Sequence, residues 1–263
     1  MINVPQTLSS EIVDALNEII RQSDKFRDWD EPEILNLVRS IYKLQKVDAR
    51  CAFVRLGSVA AICGRVDDLQ AYYAKALLHP GMEETKAEFH TSMGNAGLYS
   101  KAQEIGTWLL DPRRGFFPRI WRRAASFGQI LEVSDRLVIA KKTFPELSKE
   151  DFSVIESAAT VMRVRGLTDQ DIGVVFDLMG EVQRKHGIMF AGFFGSVINI
   201  VRPPEDQPYI YMTIPLSESV EFVHSMNRTL TQLVVEKLPG GAFPQGLVTS
   251  FSKADTVKLR AAA

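Results

Sequence analysis

Residues 56–80 read LGSVAAICGRVDDLQAYYAKALLHP, and the interpretation of the whole chain turns on them. A Leu-Gly pair at Leu56 and Gly57 is followed by Gly64, and Leu69, Tyr73, Ala76 and Pro80 come after it at helical spacings. Small residues at Gly57 and Ala76 let two helices approach closely, Gly64 supplies the turn between them, and Tyr73 fills the space that the small residues leave. Pro80 stops the second helix. The layout returns 33 residues on in GLYSKAQEIGTWLLDP, from Gly97 to Pro112, with Tyr99 and Ala102 in the matching places. A weaker third copy, PRIWRRAASFGQILEVSDRLVIAKKTFP, has Gly128 31 residues past Gly97, then Leu137, Ala140 and Pro145. A helical pair that cannot bury its own apolar face needs neighbours to stack on, so recurrence at this period predicts an array of helical hairpins over about 50–147.

These residues resemble the tetratricopeptide (TPR) repeat, in which Leu-Gly marks the first helix, a small residue the turn, and Ala, an aromatic and Ala the second helix. The departures are Leu69, where a small Ala is usual, and a second helix one residue short before Pro80. The resemblance implies a superhelix whose first helices line a concave, partner-binding groove. In the branch of the family that clamps a C-terminal carboxylate, the basic and Asn positions fall on Val54 and Ser58 in the first copy, and an Asn position falls on Glu88 in the second. Arg119 alone matches, which argues against a chaperone-tail clamp and leaves other peptide modes open.

The densest chemistry lies in RRGFFPRIWRR, Arg113 to Arg123, where five arginines alternate with Phe116, Phe117 and Trp121. Guanidinium groups on a groove-lining helix suit an acidic peptide or a phosphate, and arginine with aromatic rings also suits single-stranded nucleic acid. The plainer expectation is that Trp121 and Phe117 are core and the arginines pair on a solvated surface. Arg119, Arg122, Arg123, Ser58 and Asn95 form the candidate partner-binding set.

The fold class expected is α+β and multidomain, with an all-α TPR-like array at 1–147 and a small α+β domain at 148–263. Before the repeats, Ile12, Leu16, Ile19 and Ile20 behind Ser9 and Ser10 predict one helix, and Pro32 opens a second with Ile34, Leu37, Val38 and Ile41. These are a degenerate repeat or a cap on the array, and the missing repeat residues favour a cap that covers the exposed face of its neighbour. After LSKED at 147–151, helices are predicted at about 150–164 and 169–186, the latter with a capping box from Thr168 to Asp171. The β-branched end of GIMFAGFFGSVINIVR (187–202), the PPEDQP turn and the alternating YIYMTIPL predict an antiparallel hairpin. Ser217 or Ser219 then caps an amphipathic helix to about Leu238, and GLVTSFSK (246–253) returns as a third strand, giving the order ααββαβ. The alanines 261–263 carry no structural weight.

The chain has 263 residues, 46% hydrophobic and 24% charged, with net charge −1. This is ordinary globular composition, without a basic nucleic-acid arm or an acidic tail. Cys51 and Cys63 are twelve apart on one predicted helix, which turns them about 120° from each other and forbids pairing. Free thiols, a start lacking a signal-peptide pattern and the lack of a long apolar run lead to the expectation of a cytoplasmic protein with no membrane partner. His79, His90, His186 and His224 have no ligand-spaced companions, so no metal and no cofactor are expected. Gly187, Gly192 and Gly195 fit neither a phosphate loop nor a dinucleotide fingerprint. Glu205 and Asp206 read as turn formers.

The leading functional reading is a protein-interaction module, an adaptor, scaffold or chaperone-like binder, with the α+β domain for docking or a second partner. A nucleic-acid-binding protein using 113–123, and an enzyme with a site in the α+β half, are the alternatives. Homo-oligomerisation is left open, through the end of the array or the edge of the sheet.

Overall fold

The structure is a computed structural model that describes residues 4–22, 25–189 and 196–254, with side chains from Leu8 onward in the first helix. Eleven α-helices and one three-stranded sheet are present among the described residues. They form two compact units, Met1–Leu98 with Gln183–Ala191, and Tyr99–Val182 with Gly192–Ala263.

The first unit contains α1 (Val4–Gln22), α2 (Pro32–Gln45), α3 (Ala49–Ile62), α4 (Val66–Ala76) and α5 (Met82–Asn95). Pro32 opens α2, and the Asp48 side chain caps α3 by accepting from the Cys51 N–H at 2.8 Å. α1 packs on α2 and α3, and α2 packs on α3; α3 in turn packs on α4 and α5, and α4 on α5. The two N-terminal helices thus make the same set of pairings as the hairpin that follows them. Gly57 of α3 lies directly beneath the buried Phe89 ring of α5, and Tyr73 of α4 lies against that ring at 4.7 Å between centroids. Gly64 takes φ +66° directly after α3, with the Phe26 ring against it. Residues just before α2 complete this turn: the Arg27 N–H donates to Ile62 O at 2.9 Å, and the Phe26 N–H donates to Gly187 O. Arg184 donates Nη1 to both Ala96 O and Gly97 O at 2.8 Å, which satisfies carbonyls at the C-terminal end of α5. Cys51 and Cys63 are free, as their spacing required, but only half-buried. Burial pushes the Cys63 thiol up to about 12, so it is an inert group.

The second unit begins with α6 (Tyr99–Leu109), α7 (Phe117–Ser126), α8 (Ile130–Thr143) and α9 (Ser153–Arg165), each packed on the next. Its core turn is held by two buried glutamines: Gln103 Nε2 donates to Phe127 O at 2.8 Å, and Gln129 Nε2 returns to Gln103 O at 2.9 Å. α10 (Asp169–Lys185) starts with the expected capping box, the Thr168 N–H and Asp171 N–H each bonding the other's side chain. Its acidic residues also cap other helices. Asp177 accepts from the Ser100 N–H at 3.0 Å, and Asp169 accepts from the Leu131 and Glu132 N–H groups at 2.9 Å, so α6 and α8 gain N-terminal acceptors from α10.

Burial of Asp169 outweighs these N–H groups and pushes its carboxyl up to about 6. The unfolded value is about 3.9, so this group's contribution to stability is complete below about pH 4 and is lost as pH rises through about 6, by about 3 kcal/mol. Urea midpoints measured from pH 4 to 7 are therefore expected to fall more with pH in the wild type than in Asp169→Asn. Parallel profiles would contradict this assignment.

The short 3-10 turn Pro145–Lys149 occupies the stretch read as a boundary, and beyond it α9 packs on α8 and also on β1 (Val197–Val201) and β2 (Tyr209–Leu216). The sheet order is β1-β2-β3, with β1 antiparallel to β2 and β3 (Leu247–Lys253) parallel to it through α11 (Val220–Lys237). The predicted hairpin, crossover helix and third strand are all present, and Ser219 is the cap, accepting from the Phe222 N–H. Ile210, Met212, Ile214, Leu247 and Phe251 are buried on one face, whereas Val197 and Val248 are exposed on the other. Asn227 of α11 bonds both the N–H and C=O of Phe251, at 2.8 and 2.9 Å, which occupies polar groups of a strand at the sheet's edge. Gly192, Gly195 and the terminal alanines lie outside the described residues.

Candidate functional site

Three helical stripes in the first unit meet along one cleft. α1 contributes Val13, Leu16, Asn17 and Ile20; α3 contributes Arg55, Ser58, Ala61 and Ile62; α5 contributes Glu88, Thr91, Ser92 and Asn95. On α1 and α5 the stripe runs i, i+3, i+4, i+7, one face of an α-helix, and α3 keeps to one face similarly. The cleft has a volume of about 120 Å³, room for about four water molecules or one side chain. Ser58 and Asn95, singled out in the sequence, are both in its wall.

Asn95 is only 7% exposed, and its Oδ1 is fully buried without a hydrogen-bond partner among the described residues. A buried amide oxygen left unpaired costs about 1–3 kcal/mol. Ser58 Oγ donates weakly to Val54 O at 3.3 Å and lies 3.5 Å from Ser92 Oγ, so both hydroxyls retain capacity. Arg55, 14% exposed at its side chain, pairs with Glu88 at 3.3 Å, while its Nε is buried without a partner. The pair is charge-balanced, and Leu16 and Ile62 supply an apolar wall. Such a lining suits a polypeptide segment whose main chain brings donors and acceptors together with an apolar side chain.

The arginine-rich stretch has a different fate. Phe117 and Trp121 are core residues, and Trp121 packs on Phe152 at 4.3 Å between centroids. Arg113 pairs with Asp111 at 2.8 Å and, through that bond, holds its carboxyl down at about 2. Arg114 lies 3.9 Å over the Trp108 ring, and Arg122 pairs with Glu150 beside the Trp121 ring. Arg119 is exposed and has no ion pair with a described residue, and Arg123 is half-buried. The structure brings Ser58 and Asn95 together in the first unit; Arg119, Arg122 and Arg123 belong to α7 of the second.

Arg55, Ser92 and Asn17 escaped the sequence reading. The signal available for α5 was a row of polar residues on a helix that buries most of its others. For α1 the pattern marks an apolar face that covers the next helices, but not which residues of α3 and α5 it meets. Glu88, noted only as a departure from a clamp, is the partner of Arg55. Glu205 and Asp206 are exposed in the β1–β2 turn, where Asp206 accepts from the Gln207 N–H. Among the described residues no cluster of three or more His, Cys, Asp or Glu side chains is placed to hold a metal ion, and no helix is long and apolar enough to cross a membrane. No family model, curated protein or solved structure matches this chain.

Proposed function

We propose that the protein is an interaction module, an adaptor, scaffold or chaperone-like binder, in which a TPR-like helical array receives a segment of a partner protein. The observation that carries this reading is the cleft between α1, α3 and α5, lined by Ser58, Ser92, Asn95 and the Arg55–Glu88 pair beside apolar Leu16 and Ile62. The recurrence of one set of helix pairings from α1 to α5 supports the array, and the glycine turns at Gly64, Gly97 and Gly128, all at positive φ, support its repeat. The α+β portion serves for docking or for a second partner. The nucleic-acid reading loses its motivation because Arg113, Arg114 and Arg122 are engaged by neighbouring side chains.

Affinity capture from nuclease-treated lysate of the source cells tests the reading. The wild type is compared with Ser58→Arg, which fills the cleft, and with Arg119→Glu/Arg123→Glu, after each variant is shown to fold. A discrete protein is expected with the wild type and the arginine variant, and at least about tenfold less of it with Ser58→Arg. Equal recovery with Ser58→Arg, or no partner at all, removes the cleft as the binding site.

A further inference from the structure

A second surface of the first unit carries its own chemistry, and none of its residues lines the cleft. The α2–α3 turn and the α4–α5 turn are joined by a hydrogen bond from Arg50 Nη1 to Gly81 O at 3.2 Å. Large apolar side chains stand in water along these turns: Val47 is 65% exposed, Leu78 83% and Met82 49%. Between them lies an aromatic cluster. The Phe53 and His79 rings are 5.8 Å apart, and Lys75 Nζ sits 5.9 Å from the Phe53 ring and 5.6 Å from the Tyr72 ring. Tyr42, 48% exposed, extends the cluster, and burial, helped by Tyr42, raises the Tyr72 phenol's pKa.

Three of the basic side chains here lack an acidic partner among the described residues. Lys43, Lys46 and Lys75 make no ion pair with any described residue, and Arg50 is engaged by a backbone carbonyl. Of the nearby acids, Asp48 is used in capping α3, and Glu83 and Glu84 follow Met82 in the first turn of α5. Exposed Leu, Val and Met side chains next to aromatic rings and unpaired lysines match the anchors and steering charges of a protein interface.

We infer that this edge, formed by the α2–α3 and α4–α5 turns, is a docking surface for an acidic peptide segment that carries aliphatic or aromatic residues. Its carboxylates meet Lys43, Lys46 and Lys75, and its apolar residues cover Leu78, Val47 and Met82. Lys75 lies over the Phe53 and Tyr72 rings and takes up a face of each on which a nucleic-acid base would stack.

A random dodecapeptide library displayed on phage and selected on the immobilised full-length chain tests this. Counter-selection uses Leu78→Ser/Lys75→Glu, shown by thermal melting to fold as the wild type does. Enriched peptides are expected to be strongly acidic and to contain Leu, Phe, Trp or Met. Their affinities, read by fluorescence polarisation, are expected to drop about tenfold or more in Leu78→Ser and in Lys46→Glu/Lys75→Glu, and to fall with added salt. They are expected to be unchanged in Ser58→Arg, which separates this surface from the cleft. Neutral or basic enriched peptides, equal binding by the variants, or no enrichment overturn the proposal. Sedimentation with phosphatidylserine vesicles that is lost in Leu78→Ser, in the absence of peptide binding, overturns it in favour of a lipid surface.

Discussion

Gly57→Val is expected to destabilise the first unit by about 3 kcal/mol, although valine is the better helix former of the two. A Cβ at position 57 would lie 2.5 Å from Cε1 and 2.6 Å from Cζ of Phe89. The ring cannot retreat, because Phe89 is 1% exposed and Tyr73 packs on it at 4.7 Å. α3 and α5 must therefore separate. Removing the obstacle by Phe89→Ala alone costs about 4 kcal/mol through the cavity it leaves. The double variant Gly57→Val/Phe89→Ala is expected to be less damaged than the sum of the two, with a coupling of about 1 kcal/mol or more. Urea denaturation of the four proteins checks this; strict additivity, or a Gly57→Val protein as stable as the wild type, would refute the close approach. Because Ser58 and Asn95 sit on the same two helices, Gly57→Val is also expected to lose the cleft's partner while the protein remains folded in the cold.

Gly128→Val is expected to cost about 4 kcal/mol in the second unit, from two separable sources. At φ +90° a β-branched residue is strained by about 1–2 kcal/mol, and its Cβ would stand 2.5 Å from Ile172 Cγ2 and 3.0 Å from Gln103 Nε2. The second contact matters because Gln103 Nε2 is the donor to Phe127 O that fixes the turn. Gly128→Ala/Ile172→Ala removes the 2.5 Å contact but keeps the strain and the 3.0 Å approach to Gln103 Nε2, so relative to Ile172→Ala it is expected to lose about 1–3 kcal/mol. Full recovery to the stability of Ile172→Ala would show that the positive φ is not required.

Both glycines were legible as turn or contact residues from their repetition alone, because a close helix approach and a left-handed turn each exclude a side chain. Nothing local could name Phe89 or Ile172 as the atoms in the way. The same division runs through the candidate site. The spacing that put Ser58 and Asn95 on the first helices of successive hairpins was readable, but the wall of the cleft that α1 provides was not. Ile12, Leu16 and Ile19 announced an amphipathic helix, and any apolar neighbour would have satisfied them. The arginines show the converse, since a run of five charges reads either as a ligand surface or as a solvated, paired one, and only the fold placed Asp111, Trp108 and Glu150 beside three of them.

The sequence by itself determined the helical elements, the glycine-marked turns, the Thr168–Asp171 capping box, and the ββαβ order of the C-terminal portion, and it left the cap of the last helix between Ser217 and Ser219. These depend on the period of burial and on backbone conformations that few residues adopt, and both act over a few neighbouring positions. Only the tertiary structure decided that α1 closes a cleft with α3 and α5, that Asp169 and Asp177 of α10 cap α8 and α6, and that Arg55 meets Glu88. Those choices depend on which distant surfaces come into contact. A carboxylate or amide shows the same local pattern whether its partner is water, a helix N-terminus or an unfilled cleft.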